Sequence, residues 1–199
     1  MARSVLIWAA LAIALVAPIV AAAVSPLLQW RDPIYIVAGF AGIAALSLLL
    51  LQPLLAAGTL PALTLRQSRS MHKWIGASVT ALVIVHVAGL WLTSPPDVID
   101  ALLFASPTPF SHWGVIAMWT LLATATLAAL RRPLRLSPHI WRMCHGVFAA
   151  IIVLGSVLHA LLIEGTMEFF TKVGISILLV LITAKTLKNL RIFRGTPRR

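Results

Sequence analysis

The chain has 199 residues and a formal net charge of +11, yet only 11% of its residues are charged and 60% are hydrophobic. A soluble domain carries about 25% charged residues, so the mean hydropathy of +0.99 excludes a soluble globular protein and indicates an integral membrane one. A single cysteine, Cys144, excludes a disulfide within the chain and a thiolate metal cluster.

A membrane-spanning helix needs roughly 20 apolar residues. Six runs meet that length, at about Ser4–Val24, Ile34–Ala57, His72–Thr93, His112–Leu130, His139–Ile163 and Met167–Leu187. The runs are continuous rather than alternating, so helices are expected and strands are not. The whole chain, 1–199, reads as one domain of six transmembrane helices, with no internal repeat at solenoid periods and no soluble domain.

The first run has a basic start and small residues at Ala21–Ala23, which also fits a signal peptide; its length favours a span. Pro18 and Pro53 are expected to kink the first and second spans. The third run, "MHKWIGASVTALVIVHVAGLW", carries His72 and His86. The longest connection, Ser94–Ser111, holds Val98, Ile99, Leu102, Leu103 and Phe104, which suit a short helix at the membrane surface. His112, at the start of the fourth span, and His139, at the start of the fifth, read as interfacial residues. Ser137-Pro138 reads as the N-cap and first position of the fifth helix. That helix, "CHGVFAAIIVLGSVLHALL", carries His145 and His159. Cys144 points about 100° away from His145 and reads as packing. Most of the seven tryptophans, Trp8, Trp30, Trp74, Trp91, Trp113, Trp119 and Trp141, sit near span ends and fit an aromatic belt.

Charge sorts the connections. Arg3, Arg66, Arg69, Lys73, Arg131, Arg132, Arg135, Arg142, Lys185, Lys188, Arg191, Arg194, Arg198 and Arg199 fall on one side. Arg31 and Lys172 fall on the other, together with all five acids, Asp32, Asp97, Asp100, Glu164 and Glu168. The positive-inside bias then places both termini in the cytoplasm. The high basicity is accounted for by orientation, and nucleic acid is not an expected partner.

The histidines form two pairs, each 14 residues apart. Fourteen positions at 100° each fall about 40° short of four full turns, so both imidazoles of a helix project from nearly one face, about 21 Å apart along its axis. The third and fifth spans run in the same direction. His72 can therefore face His145 near the cytoplasmic side, and His86 can face His159 near the outer side. Two imidazoles facing across a gap suit the two axial positions of a haem iron, and two such sites make an electron path across the bilayer. Zinc suits the set less well, because it takes four ligands around one ion. Gly76, Gly89 and Gly155 lie near the histidines; they either admit a flat ring to the backbone or pack helices. Arg69 and Arg142 each precede a cytoplasmic-side histidine by three residues; they either pair with haem propionates or serve only as positive-inside charge.

At "MHKWIGASVTALVIVH", "HGVFAAIIVLGSVLH" and the six-span array, the chain resembles the ferric reductase-like transmembrane domain. That superfamily includes ferric reductases, NADPH oxidases and the haem subunit of periplasmic methionine-sulfoxide reductase systems. The resemblance implies two b-type haems with His72, His86, His145 and His159 as iron ligands, and electron flow from the cytoplasm outward in a bacterial-type inner membrane. Two complete pairs lean toward the ferric reductase pattern. The relatives that continue into flavin and nicotinamide domains differ from this sequence, which has no G-x-G-x-x-G and ends soon after the sixth span. The expected donor is therefore a separate cytosolic flavoprotein reductase or a membrane quinol. Two other functions stay open: a haem subunit serving a periplasmic reductase, and a non-haem metal or proton transporter using the same four histidines.

Overall fold

A computed structural model of the chain describes residues 1–190; the basic positions Arg191, Arg194, Arg198 and Arg199 lie outside the described residues. The helices are α1 (Ala2–Ala23), α2 (Pro33–Leu49), α3 (Leu51–Ala57), α4 (Leu65–Thr93), α5 (Pro95–Leu102), α6 (Pro109–Leu130), α7 (Pro138–Leu162) and α8 (Phe169–Asn189). Six helical segments are long and apolar enough to cross a membrane, with α2 and α3 together forming the second. The chain is thus an all-α, multi-pass membrane protein, as its hydropathy requires.

The helix starts follow local chemistry. Asp32 caps α2, accepting from the Ile34 N–H at 2.7 Å, with Pro33 at the first helical position. Thr64 and Gln67 form a capping box at α4. Ser137 accepts from the Ile140 N–H to cap α7, with Pro138 following it as expected. Glu168 accepts from the Phe170 and Thr171 N–H groups at α8. The capping box explains why the third span is longer than its apolar run. The helix starts at Leu65, two turns before His72, and carries the exposed Arg66 and Arg69.

Pro53 does more than kink the second span. Its missing N–H leaves the Leu49 carbonyl without its i+4 donor and its ring crowds that carbonyl. The helix breaks at Leu50 and resumes as α3. The Thr186 hydroxyl on α8 donates to the Pro53 carbonyl at 3.3 Å, which ties α8 to the break. Pro18 lies within α1, which stays helical through it. Gly58 closes α3 in the left-handed region at φ 62°.

The core lies between α2, α7 and α8, where Leu46, Leu49, Leu50, Ile152, Val153, Val157, Ile175 and Leu179 meet. Helix α1 lies against α2 and α8 and seats Trp8, Leu11 and Leu15 beside Leu51, Leu55 and Leu60. Side chains such as Leu6, Ile13, Ile84, Leu154 and Leu181 face outward on the spans, as a lipid solvent requires.

An even number of spans places the start of α1 and the end of α8 at one end of the bundle, called here the termini end. Arg66, Arg69, Arg131, Arg132, Arg135 and Arg142 are exposed there. The acids and the short helix α5 lie at the far end. In that connection Val98 is buried while Ile99, Leu103 and Phe104 are exposed. Helix α4 packs on α2 and α3, and α7 packs on α6 and α8; α4 and α7 are not a close-packed pair. They flank a gap.

Candidate functional site

The four histidines of α4 and α7 meet across that gap in two pairs. His72 and His145 have ring centroids 5.9 Å apart at 71°. His86 and His159 stand 6.4 Å apart at 78°. The first pair is at the termini end and the second at the far end, as the 14-residue spacing predicts.

Such distances alone also suit an edge-to-face aromatic pair. The second ring nitrogen decides what the rings can do. Nδ1 of His86 is 2.7 Å from the Ala38 carbonyl oxygen, Nδ1 of His159 is 2.9 Å from that of Phe110, and Nδ1 of His72 is 3.2 Å from that of Gln52. A carbonyl only accepts, so each Nδ1 must carry the proton and donate. That fixes the tautomer and leaves the Nε2 lone pair for a metal. Among the described residues no Nε2 of the four makes a hydrogen bond. Two metal–nitrogen bonds of about 2.0 Å plus two imidazole radii of about 1.1 Å sum to roughly 6.2 Å between centroids, between the two observed values. Each pair could thus offer two nitrogens to one metal centre. Among the described residues no three His, Cys, Asp or Glu side chains converge on a point; each pair brings two imidazoles together, where a closed tetrahedral ion takes four ligands.

Two glycines that sequence reasoning did not single out seat the far-end rings. A Cβ on Gly42 would lie 3.0 Å from His86 Nδ1, and one on Gly114 would lie 2.7 Å from His159 Nδ1. Each is one turn beyond the carbonyl its histidine uses, Ala38 for Gly42 and Phe110 for Gly114. The imidazole lies on the bare glycine and reaches back to the oxygen. The readings left open for the other glycines separate here. A Cβ on Gly89 would meet Ala38 Cβ at 2.7 Å, and one on Gly155 would meet Ala117 Cβ and the Trp113 oxygen at 3.0 Å. Both therefore serve helix packing. Gly76 faces only the Gln52 side chain, at ordinary contact distance.

This arrangement is repeated. An offset of 72 residues carries Ala38 and Gly42 onto Phe110 and Gly114, and 73 carries His72 and His86 onto His145 and His159. The helix pairs α2–α4 and α6–α7 repeat one arrangement, a helix that offers a carbonyl followed by a helix that carries two histidines. The period is longer than a solenoid repeat, and the matching residues are too sparse to stand out.

The copies differ at the termini end. Gln52 supports His72 twice: its carbonyl accepts from the ring, and its side-chain amide donates to the His72 carbonyl at 3.3 Å. His145 Nδ1 is buried with no partner. Its ring instead stacks on Trp141, 4.9 Å away at 24°. Assigning Trp141 to the aromatic belt overlooked this contact. Arg69 and Arg142 are exposed one turn before His72 and His145. His112 lies at the far-end surface, stacked on Phe104 with Nε2 3.2 Å from the Phe104 oxygen. His139 is exposed and Cys144 is a free thiol; neither joins a pair.

No curated protein and no solved structure matches the chain. A family model described as the ferric reductase like transmembrane component matches residues 38–156. The match opens at Ala38, contains His72, His86 and His145, and stops three residues before His159. It covers more than half of the sequence, and with the six spans it establishes that the chain belongs to the ferric reductase-like transmembrane family of membrane electron-transfer components.

Proposed function

We propose that the chain is a two-haem electron-transfer protein, with His72 and His145 holding one b-type haem near the termini and His86 and His159 holding the second near the far end. The observation that supports this reading is the anchoring of three Nδ1 atoms on main-chain carbonyls, in rings that meet in pairs at two depths. Bound there, haem supplies an iron that takes up and returns one electron.

The chain's own residues supply the rest. Gly42 and Gly114 keep the far-end rings close to their carbonyls. The apolar spans exclude water from the path between the sites. Arg69 and Arg142 stand at the termini end, where a guanidinium can pair with a propionate. With one cysteine there is no C-x-x-C-H, so attachment is non-covalent. The charge asymmetry of the connections supports a cytoplasmic placement of the termini, in a bacterial-type inner membrane under this reading. Electrons then pass from the cytoplasmic side, delivered by a separate flavoprotein or by quinol, to an acceptor outside.

A pyridine haemochrome assay on the purified protein tests the reading. Two haems per chain, with low-spin oxidised and reduced spectra, are expected. Folded protein without a Soret band would overturn it and leave the four histidines to a non-haem metal or a proton path.

A further inference from the structure

Three of the four paired histidines are oriented by a carbonyl that accepts from Nδ1; His145 is the exception. The corresponding place on α6 is built differently. The 72-residue offset places Thr124 of α6 where Gln52 stands beside His72. Gln52 lies just past the break that Pro53 imposes, in the short helix α3 that packs on α4. Helix α6 has no proline at the corresponding place and runs unbroken to Leu130, and the Thr124 hydroxyl bonds back to the Thr120 carbonyl of its own helix. No carbonyl of α6 is turned toward His145.

A buried donor or acceptor without a partner is costly, and an imidazole with no hydrogen bond is poorly fixed in rotation. The torsion that turns the ring is broad and roughly two-fold. Trp141 lies four residues before His145, on the same face of α7. Its indole is nearly parallel to the imidazole, and the Arg131 guanidinium, at the end of α6, lies over that indole at 5.1 Å.

Resting on the two-haem reading, we propose that Trp141 is the positioning residue of His145, fixing by stacking the ring plane that a main-chain carbonyl fixes in the other three. Arg131 in turn ties the indole to α6. The two sites are therefore unequal. Both far-end ligands carry an Nδ1 hydrogen bond, which strengthens an imidazole as a donor to metal. At the termini end only His72 does.

The test compares the full-length protein with Trp141→Leu and Trp141→Phe. Haem per chain, the low-spin ferric electron paramagnetic resonance signals and the midpoint potential of each haem are measured. Trp141→Leu is expected to broaden or shift the signal and potential of the termini-end haem, with partial loss of that haem, and to leave the far-end haem as in wild type. Trp141→Phe still offers a ring to stack on and should restore most of the wild-type signal. The far-end signal reports that the bundle is intact, and Trp141→Phe carries the comparison if the leucine variant does not fold. Unchanged signals in Trp141→Leu, or equal shifts at both haems, overturn the inference while the two-haem reading stands. Wild-type protein without haem overturns both.

Discussion

Gly114→Ala adds one methyl group at the tightest point of the far-end site. Its Cβ would lie 2.7 Å from His159 Nδ1 and 3.0 Å from Cε1, where ordinary contact begins at 3.4 Å. The ring must retreat from α6 by about 0.7 Å. The oxygen that anchors it, that of Phe110, sits one turn away on α6 at 2.9 Å from Nδ1. Retreat stretches that contact to about 3.6 Å, which is no longer a hydrogen bond. Losing the bond costs about 0.5–1.5 kcal/mol and overpacking about 1–3 kcal/mol. Because the ring can move while α6 stays in place, the loss should concentrate on the site. The expected result is a fall in far-end haem affinity of about 1.5–4.5 kcal/mol, or roughly 10- to 2,000-fold, with the termini-end haem retained. Gly42→Ala should do the same more mildly, because its Cβ contacts are 3.0 and 3.1 Å. Gly155→Ala is the contrast: its Cβ presses on Ala117 and the Trp113 backbone, so it should lower the melting temperature without selecting one haem. Haem content by pyridine haemochrome and thermal melts distinguish these outcomes. Full occupancy of both sites in Gly114→Ala would refute the claim that the glycine seats the ligand.

Substituting His86→Ala or His159→Ala should remove the far-end haem and leave the other spectroscopically present; loss of both from a folded bundle would contradict pairing by depth. Lys172 is 8% exposed, and its ammonium donates to the Ile163 carbonyl at 3.0 Å, at the negative end of α7. Lys172→Met should lower thermal stability by at most about 1.5–3 kcal/mol; a rise would show that desolvating the ammonium outweighs the bond. The Phe170 and Thr171 N–H groups hold the Glu168 carboxyl below its usual value of 4.5. Its cap is therefore complete above that pH and weakens as pH falls through the lower folded value, and Glu168→Gln should remove this acid dependence from the melting curve. If an acidic flavoprotein is the donor, haem reduction should slow as salt rises. It should slow again in Arg132→Gln with Arg135→Gln, variants that leave Arg131 on Trp141; reduction by quinol alone, indifferent to salt and to both changes, would replace that donor.

The parts of this protein legible in its sequence obey rules that act along one helix. The existence of the six spans follows from apolar runs, and the N-cap of α7 follows from Ser137. The 14-residue spacing fixes the face and depth of His72, His86, His145 and His159 before any neighbour is known. What stayed hidden depends on which helix lies alongside. Gly89 and Gly155 share a helix with the histidines and lie close to them in sequence, so they invited a cofactor reading, yet each meets a neighbouring helix. Gly42 and Gly114 lie on other helices and could not be assigned to a ring until α2 was set against α4 and α6 against α7. Main-chain carbonyls carry no residue signature at all, so Ala38, Gln52 and Phe110 could not be named in advance.

The 72- and 73-residue offsets are the one signal that would have exposed the supporting helices, and their limits are informative. Two copies of a supporting helix and a ligand helix set side by side give two facing histidines at each depth without any further design. Symmetry holds at the far end, where Ala38 with Gly42 and Phe110 with Gly114 perform the same task. It fails at the termini end, where Pro53 breaks only the first copy. Gln52, beside the break, accepts from His72, whereas His145 stacks on Trp141. A duplicated scaffold fixes where the four histidines stand, and the two ends differ in what holds the rings. Under the two-haem proposal, that difference is expected to give the two haems different potentials.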